Sequence, residues 1–152
     1  MPVRANSLTG AAGEHYVAYE LSRMGCPVGL TRGGSPSVDL MAGNPERGSA
    51  VSIQVKTSED AYRHRKRDNT DWWCWRFAPK GTLSQGDSLF YAFVSLHNQE
   101  HKPLPVVFIM PAREVVACFA TGEWARGWFG IVGPDCEKWH EAWQLIKEKL
   151  KL

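Results

Sequence analysis

Residues 37–58 carry the most restrictive pattern in the chain. They read Ser-Val-Asp-Leu-Met-Ala-Gly, then a connection containing Asn44, Pro45 and Gly48, then Ala-Val-Ser-Ile-Gln-Val-Lys-Thr-Ser. Val51, Ile53 and Val55 alternate with Ser52, Gln54 and Lys56, the period-2 signature of a half-buried strand that puts Gln54 and Lys56 on one face. Val38 and Leu40 flank Asp39 on a shorter strand, and a connection rich in Gly, Asn and Pro predicts a β-hairpin. Folding the chain at that connection brings Asp39 opposite Gln54 to within about one residue, where opposed Cβ atoms lie ~5 Å apart. An acid, an amide and an amine then share one small surface.

A chain of 152 residues with 43% hydrophobic content has enough apolar material for one globular domain and implies no second. The formal charge of +2 is only mildly basic, so a nucleic-acid surface must be sought in where the charge sits. Cys26, Cys74, Cys118 and Cys136 are widely spaced and form no C-x-x-C, which argues against a zinc ribbon or a disulfide framework and for reduced thiols. No apolar run approaches the length of a signal peptide core or a membrane span, so the expected compartment is the cytoplasm, with no membrane partner.

Ahead of the hairpin, Ser7 or Thr9 is placed to cap a helix running to about Met24, stopped by Gly25 and Pro27. Its apolar stripe is Ala11, Val17, Ala18, Leu21 and Met24. Glu14 stands three, four and seven residues before Val17, Ala18 and Leu21, which sets a carboxylate on the inward face. A buried carboxylate without a partner costs several kcal/mol, so this position calls for a cation, a metal or a hydrogen-bond donor. Gly10 and Gly13 weaken the helix and mark close approach by another backbone or a ligand.

Residues 28–31 read as a short strand and residues 32–36 as a turn. Beyond Lys56, the polar stretch 57–70 carries the basic run Arg63, His64, Arg65, Lys66, Arg67; a solvated loop is the plain expectation, and its place after the Lys56 strand makes it a candidate phosphate contact. Residues 71–78 alternate Trp73, Trp75 and Phe77 against Trp72, Cys74 and Arg76. Core packing or a subunit interface, as in a homodimer, is the commoner use of such rings than base stacking. Residues 88–96 and 105–110 are apolar strands that extend the sheet, and a short helix begins at Pro111. His97 and His101 fall in a turn, which disfavours a zinc site. Residues 122–133 resist assignment. A helix from about Asp135 carries the stripe Trp139, Ala142, Trp143, Ile146 and Leu150.

The order of these elements, with Glu14, Asp39, Gln54 and Lys56 as its polar points, resembles the PD-(D/E)XK nuclease superfamily, and more narrowly its restriction-endonuclease-like and Holliday-junction-resolvase-like branch. The matching pieces are Gly13-Glu14 with Val17 and Leu21, Val38-Asp39-Leu40, and Ile53-Gln54-Val55-Lys56-Thr57. The resemblance implies an α/β fold with a restriction-endonuclease-like core, a central mixed β-sheet flanked by helices, spanning residues 1–152 as a single nuclease domain. Two departures stand out. Val38 occupies the place before the aspartate where the family name has proline, Pro36 lying three residues ahead of Asp39. Gln54 stands where Glu or Asp is usual, and an amide offers a metal only a neutral oxygen.

Such a site would hydrolyse the phosphodiester bonds of DNA as an endonuclease. That reaction needs a hard cation to neutralise non-bridging oxygens, an activated water and a positive group near the point of attack. Glu14 and Asp39 would supply anionic oxygens to Mg²⁺, or Mn²⁺ in its place, with the Gln54 amide or the Val55 carbonyl completing the protein ligands and Lys56 holding the water. Arg63, Arg65, Lys66 and Arg67 would contact the nucleic acid, and nothing in these residues separates DNA from RNA. Two alternatives stay open: a nucleic-acid-binding protein of the same fold whose chemistry is lost, and a protein-interaction subunit.

Overall fold

The computed structural model describes residues 5–31, 38–79, 83–97, 104–120 and 127–152. In chain order the elements are α1 (Ala5–Arg23), β1 (Val28–Leu30), β2 (Leu40–Asn44), β3 (Ser49–Ser58), β4 (Tyr62–Arg65), β5 (Thr70–Arg76), β6 (Leu89–Ser95), β7 (Val106–Pro111), α2 (Ala112–Ala120), β8 (Trp128–Val132), α3 (Asp135–Trp139) and α4 (Gln144–Leu150). They build a mixed five-stranded sheet, β1-β2-β3-β6-β7, and a three-stranded sheet, β4-β5-β8. The expected α/β architecture with a central mixed sheet flanked by helices is the one observed.

The predicted hairpin forms: β2 pairs antiparallel with β3 in the register Leu40↔Ile53, which sets Asp39, just before the strand, across from Gln54. Along β3 the odd residues Val51, Ile53 and Val55 are buried and the even residues Ser52, Gln54 and Lys56 half-buried, as their alternation requires. β3 runs parallel to β6, the one parallel pairing in the central sheet. A parallel pair needs a crossover of a dozen residues or more. Here the β4–β5 hairpin supplies it in place of a helix.

Both faces of the central sheet are covered, which is why β6 reads as one continuous apolar run with every residue buried. On one face Val51, Ile53 and Val55 share a core with Val17 and Leu21 of α1 and with Trp143, Ile146 and Leu150 at the chain's end. On the other, Tyr91 and Phe93 pack with Trp75, Phe77, Phe129, Ile131 and Trp139. The last helix is tied down by polar contacts as well: Asn44 Nδ2 and Ser49 Oγ both donate to the carbonyl of Leu150, at 2.9 and 2.8 Å.

Several expectations change. α1 begins by Ala5, so Ser7 and Thr9 lie within it and neither is its cap; Thr9 Oγ1 instead donates to Glu59 Oε1 at 2.5 Å. The basic run is strand and turn, not a solvated loop, because Tyr62, Arg63, His64 and Arg65 pair with Trp73, Trp72, Asp71 and Thr70. The single C-terminal helix is two, interrupted where His140 is extended and Glu141 takes φ +49°. His140 bridges to Phe108 there, yet all five residues of the apolar stripe remain buried. The unassigned stretch contributes β8, with residues 122–126 outside the described residues, as are 32–37 and His101. Trp73 and Trp75 of β5 serve the core: Trp75 is buried and its Nε1 donates to the carbonyl of Val94 at 2.9 Å. All four cysteines are free. Among the described residues no helix is long and apolar enough to cross a membrane.

Candidate active site

Asp39 is held by the main chain that surrounds it. Its N–H donates to the carbonyl of Ile53 at 2.9 Å, and its Oδ2 accepts from the N–H of Val55 at 2.7 Å. The side chain thus takes the ladder position that a further residue of β2 would have filled, which fixes the carboxylate against β3 beside Gln54. The N–H and C=O of one strand residue point the same way. The Val55 carbonyl therefore faces the same edge as Asp39, as a main-chain ligand would have to.

Glu14 reaches this edge from α1. Gly13 makes the approach possible, since a Cβ there would stand 1.8 Å from Thr57 Oγ1 and 2.8 Å from Thr57 Cβ. Burial, and then the negative charge of Asp39, push the Glu14 carboxyl above its ordinary value, with His15 partly opposing. The two carboxylates feel one another, as the inward placement of Glu14 predicts. Gly10, by contrast, has nothing within 4 Å of its missing side chain.

Lys56 and Gln54 emerge on the sheet face that carries Tyr91, which is level with Gln54 in the parallel register. The Lys56 ammonium lies 4.4 Å from the centre of the Phe77 ring. Burial pushes Lys56 below the ordinary lysine range, and Asp39 partly offsets this. Tyr91 is 2% exposed, and burial followed by the Asp39 charge raises its hydroxyl. Phe77 and Tyr91, 5.4 Å apart, form the floor of the site. From the sequence Phe77 is expected in core packing or an interface, and Tyr91 lies in an apolar strand that core packing already explains.

Among the described residues no group of three or more His, Cys, Asp and Glu side chains is spaced to hold a metal. A cation would have to use the Glu14 and Asp39 carboxylates with the Gln54 amide or the Val55 carbonyl. That donor set is all oxygen, as Mg²⁺ requires, and a cation would offset the burial and the Asp39 charge that together raise Glu14. The residues present therefore fit a hard divalent ion.

The basic run divides. Arg65 is engaged with Asp68 through Nε at 2.9 Å and through Nη2. Lys66 and Arg67 are exposed in the turn between β4 and β5, and Arg63 alone of the run borders the cleft beside Thr57 and Ser58.

No family model and no curated protein matches the sequence. Among solved structures the chain is similar to a bacterial homing endonuclease, I-Ssp6803I, with a TM-score of 0.63 over 96% of this chain and 95% of that one. The chain shares the fold of that structure. At 16% identity the likeness shows the fold alone, so the site's chemistry must be argued from its own geometry.

Proposed function

We propose that this chain is a metal-dependent endodeoxyribonuclease of the PD-(D/E)XK kind, with residues 1–152 as one domain and Glu14, Asp39, Gln54 and Lys56 as its site. The observation that carries the reading is Asp39, locked by the Val55 N–H: its charge reaches Glu14 of α1 and Lys56 of β3 alike, so it links the helix carboxylate to the strand amine. The likeness in fold to a homing endonuclease supports DNA as the substrate.

Glu14 and Asp39 offer the anionic oxygens, and Gln54 and the Val55 carbonyl offer neutral ones. Mg²⁺, or Mn²⁺, held there would neutralise the non-bridging phosphate oxygens and acidify a bound water. Lys56, held over Phe77, directs its amine to the attacking water; its lowered proton affinity suits a group that takes part in proton transfer near neutral pH. Tyr91 and Phe77 exclude water from beneath the site, which strengthens each charge interaction above them.

Incubating supercoiled plasmid with the protein in Mg²⁺ or in EDTA tests this. Nicked or linear product in Mg²⁺ alone is expected, with Lys56→Met slower by ~10²-fold or more. Gln54 in place of an acid favours one competitor, a DNA-binding protein of the same fold without chemistry. That reading predicts DNA binding with the plasmid left intact in both conditions.

A further inference from the structure

Immediately past Lys56, a cleft of about 360 Å³ opens between the first turns of α1 and the smaller sheet, bordered by Thr9, Thr57, Ser58, Arg63, Arg76 and Trp128. It continues the proposed site. Thr57 follows Lys56 in β3, and Arg76 precedes Phe77, whose ring carries the Lys56 ammonium. At ~3.3 Å per strand residue, Ser58 lies ~7 Å beyond Lys56, on the order of one to two nucleotides at a ~3.4 Å rise per strand.

The charges in this cleft are unevenly committed. The carboxylate that borders it, Glu59, already accepts from Thr9 Oγ1 at 2.5 Å and stands 3.0 Å from His97 Nε2. Among the described residues neither Arg63 nor Arg76 forms an ion pair with a carboxylate. Arg63 Nη1 donates to the carbonyls of Asp60 and Tyr62, at 3.0 and 2.7 Å, which orients the guanidinium and leaves further N–H groups to donate. Arg76 and Trp128 are cross-strand partners, and the guanidinium carbon lies 5.2 Å from the centre of the indole ring. Trp128 is 39% exposed, whereas Trp75, Trp139 and Trp143 are buried. Arg65, engaged with Asp68 at the far end of β4, holds no free charge to offer.

We infer that this cleft is a phosphate subsite for the DNA strand being cut, in which Arg63 and Arg76 bind a backbone phosphate one to two nucleotides from the attacked one and Trp128 positions the Arg76 guanidinium. The inference rests on the nuclease reading and deepens it. It assigns the phosphate contact to Arg63 within the basic run, adds Arg76 from a different strand, and removes Arg65. Phosphate contacts of this kind fix register on the substrate and read no bases.

The test is a salt titration of the affinity for a labelled random-sequence duplex, with Ca²⁺ replacing Mg²⁺, on wild type, Arg63→Ala, Arg76→Ala and Arg65→Ala, each checked by thermal melting. Arg63→Ala and Arg76→Ala should each flatten the dependence of log affinity on log salt by ~0.9, and Arg65→Ala should leave it unchanged. Trp128→Ala should weaken binding as Arg76→Ala does, add nothing in the double variant, and be partly rescued by Trp128→Phe. Wild-type slopes in Arg63→Ala and Arg76→Ala, or equal flattening in Arg65→Ala, would overturn the subsite while leaving the nuclease reading standing. A wild type that binds no DNA overturns both.

Discussion

Gly13 of α1 and Thr57 of β3 touch so closely that a methyl group on Gly13 would lie 1.8 Å from Thr57 Oγ1 and within 2.8 Å of both Thr57 carbons. Thr57 Oγ1 is buried there and has no hydrogen-bond partner among the described residues. Gly13→Ala would gain ~1 kcal/mol of helix propensity. Overpacking against a β-branched side chain anchored in the sheet costs ~1–3 kcal/mol, and it also lifts Glu14 from the site. We expect a net loss of stability in urea denaturation and a loss of cleavage together. A variant more stable than wild type would show that α1 does not approach β3 this way.

Asp39 has a structural duty besides any chemical one, because its Oδ2 satisfies the Val55 N–H. Asp39→Ala leaves that donor without its acceptor, and a hydrogen bond to a charged group is worth ~1.5–3 kcal/mol. Asp39→Asn keeps an acceptor oxygen and should be markedly more stable than Asp39→Ala. Denaturant midpoints for the two variants check this, and equal midpoints would mean the bond contributes nothing.

The placement of Asp39 was legible because a period-2 strand and a Gly/Pro-rich connection leave the hairpin almost one register, and burial of Val51, Ile53 and Val55 forbids the slip by one. Glu14 was legible from helical spacing alone. Less readable was what tertiary pairing imposes on polar or mixed segments. Tyr62 to Arg65 has little strand character until it pairs with β5, and Trp128 to Val132 has no alternation because β5 on one side and the core on the other decide its structure. Nor does an apolar stripe reveal an interruption: Trp139 to Leu150 keeps helical spacing through Glu141, where a left-handed residue breaks the helix while each apolar side chain still reaches the core. Arg76 and Trp128 share a cleft only because β8 returns beside β5, across a separation no local motif spans.

Glu14 gives a pH signature. Its folded-state carboxyl lies above the ordinary value of 4.5, so between 4.5 and that raised value the folded state holds more protons than the unfolded one. Stability contributed by this group therefore falls as pH rises through the window, and the penalty is complete above it. Glu14→Gln should melt higher than wild type at neutral pH, with ~2–4 °C expected per kcal/mol relieved, and the difference should close toward pH 4.5. Mn²⁺ at neutral pH should close it as well, by raising the wild type alone. A gap independent of both would remove Glu14 from the site.

Gln54→Glu adds a third carboxylate across from Asp39. Without a divalent ion the variant should melt below wild type, because like charges gather in a partly desolvated place. With Mg²⁺ it should recover and bind the ion more tightly, since an added anionic oxygen suits a hard cation. Thermal melts with and without Mg²⁺ decide between a working ligand and a residue that merely pairs in the sheet, for which Mg²⁺ would rescue nothing.

Calorimetric titration of Mn²⁺ into wild type and Asp39→Asn tests the central claim most directly, because the variant keeps the acceptor for Val55 and removes only the charge. The account predicts measurable binding to wild type and a loss of ~10-fold or more in the variant, ~1.4 kcal/mol being a factor of ten. Equal affinity in the two proteins would contradict it, and Asp39 would have no part in holding a metal.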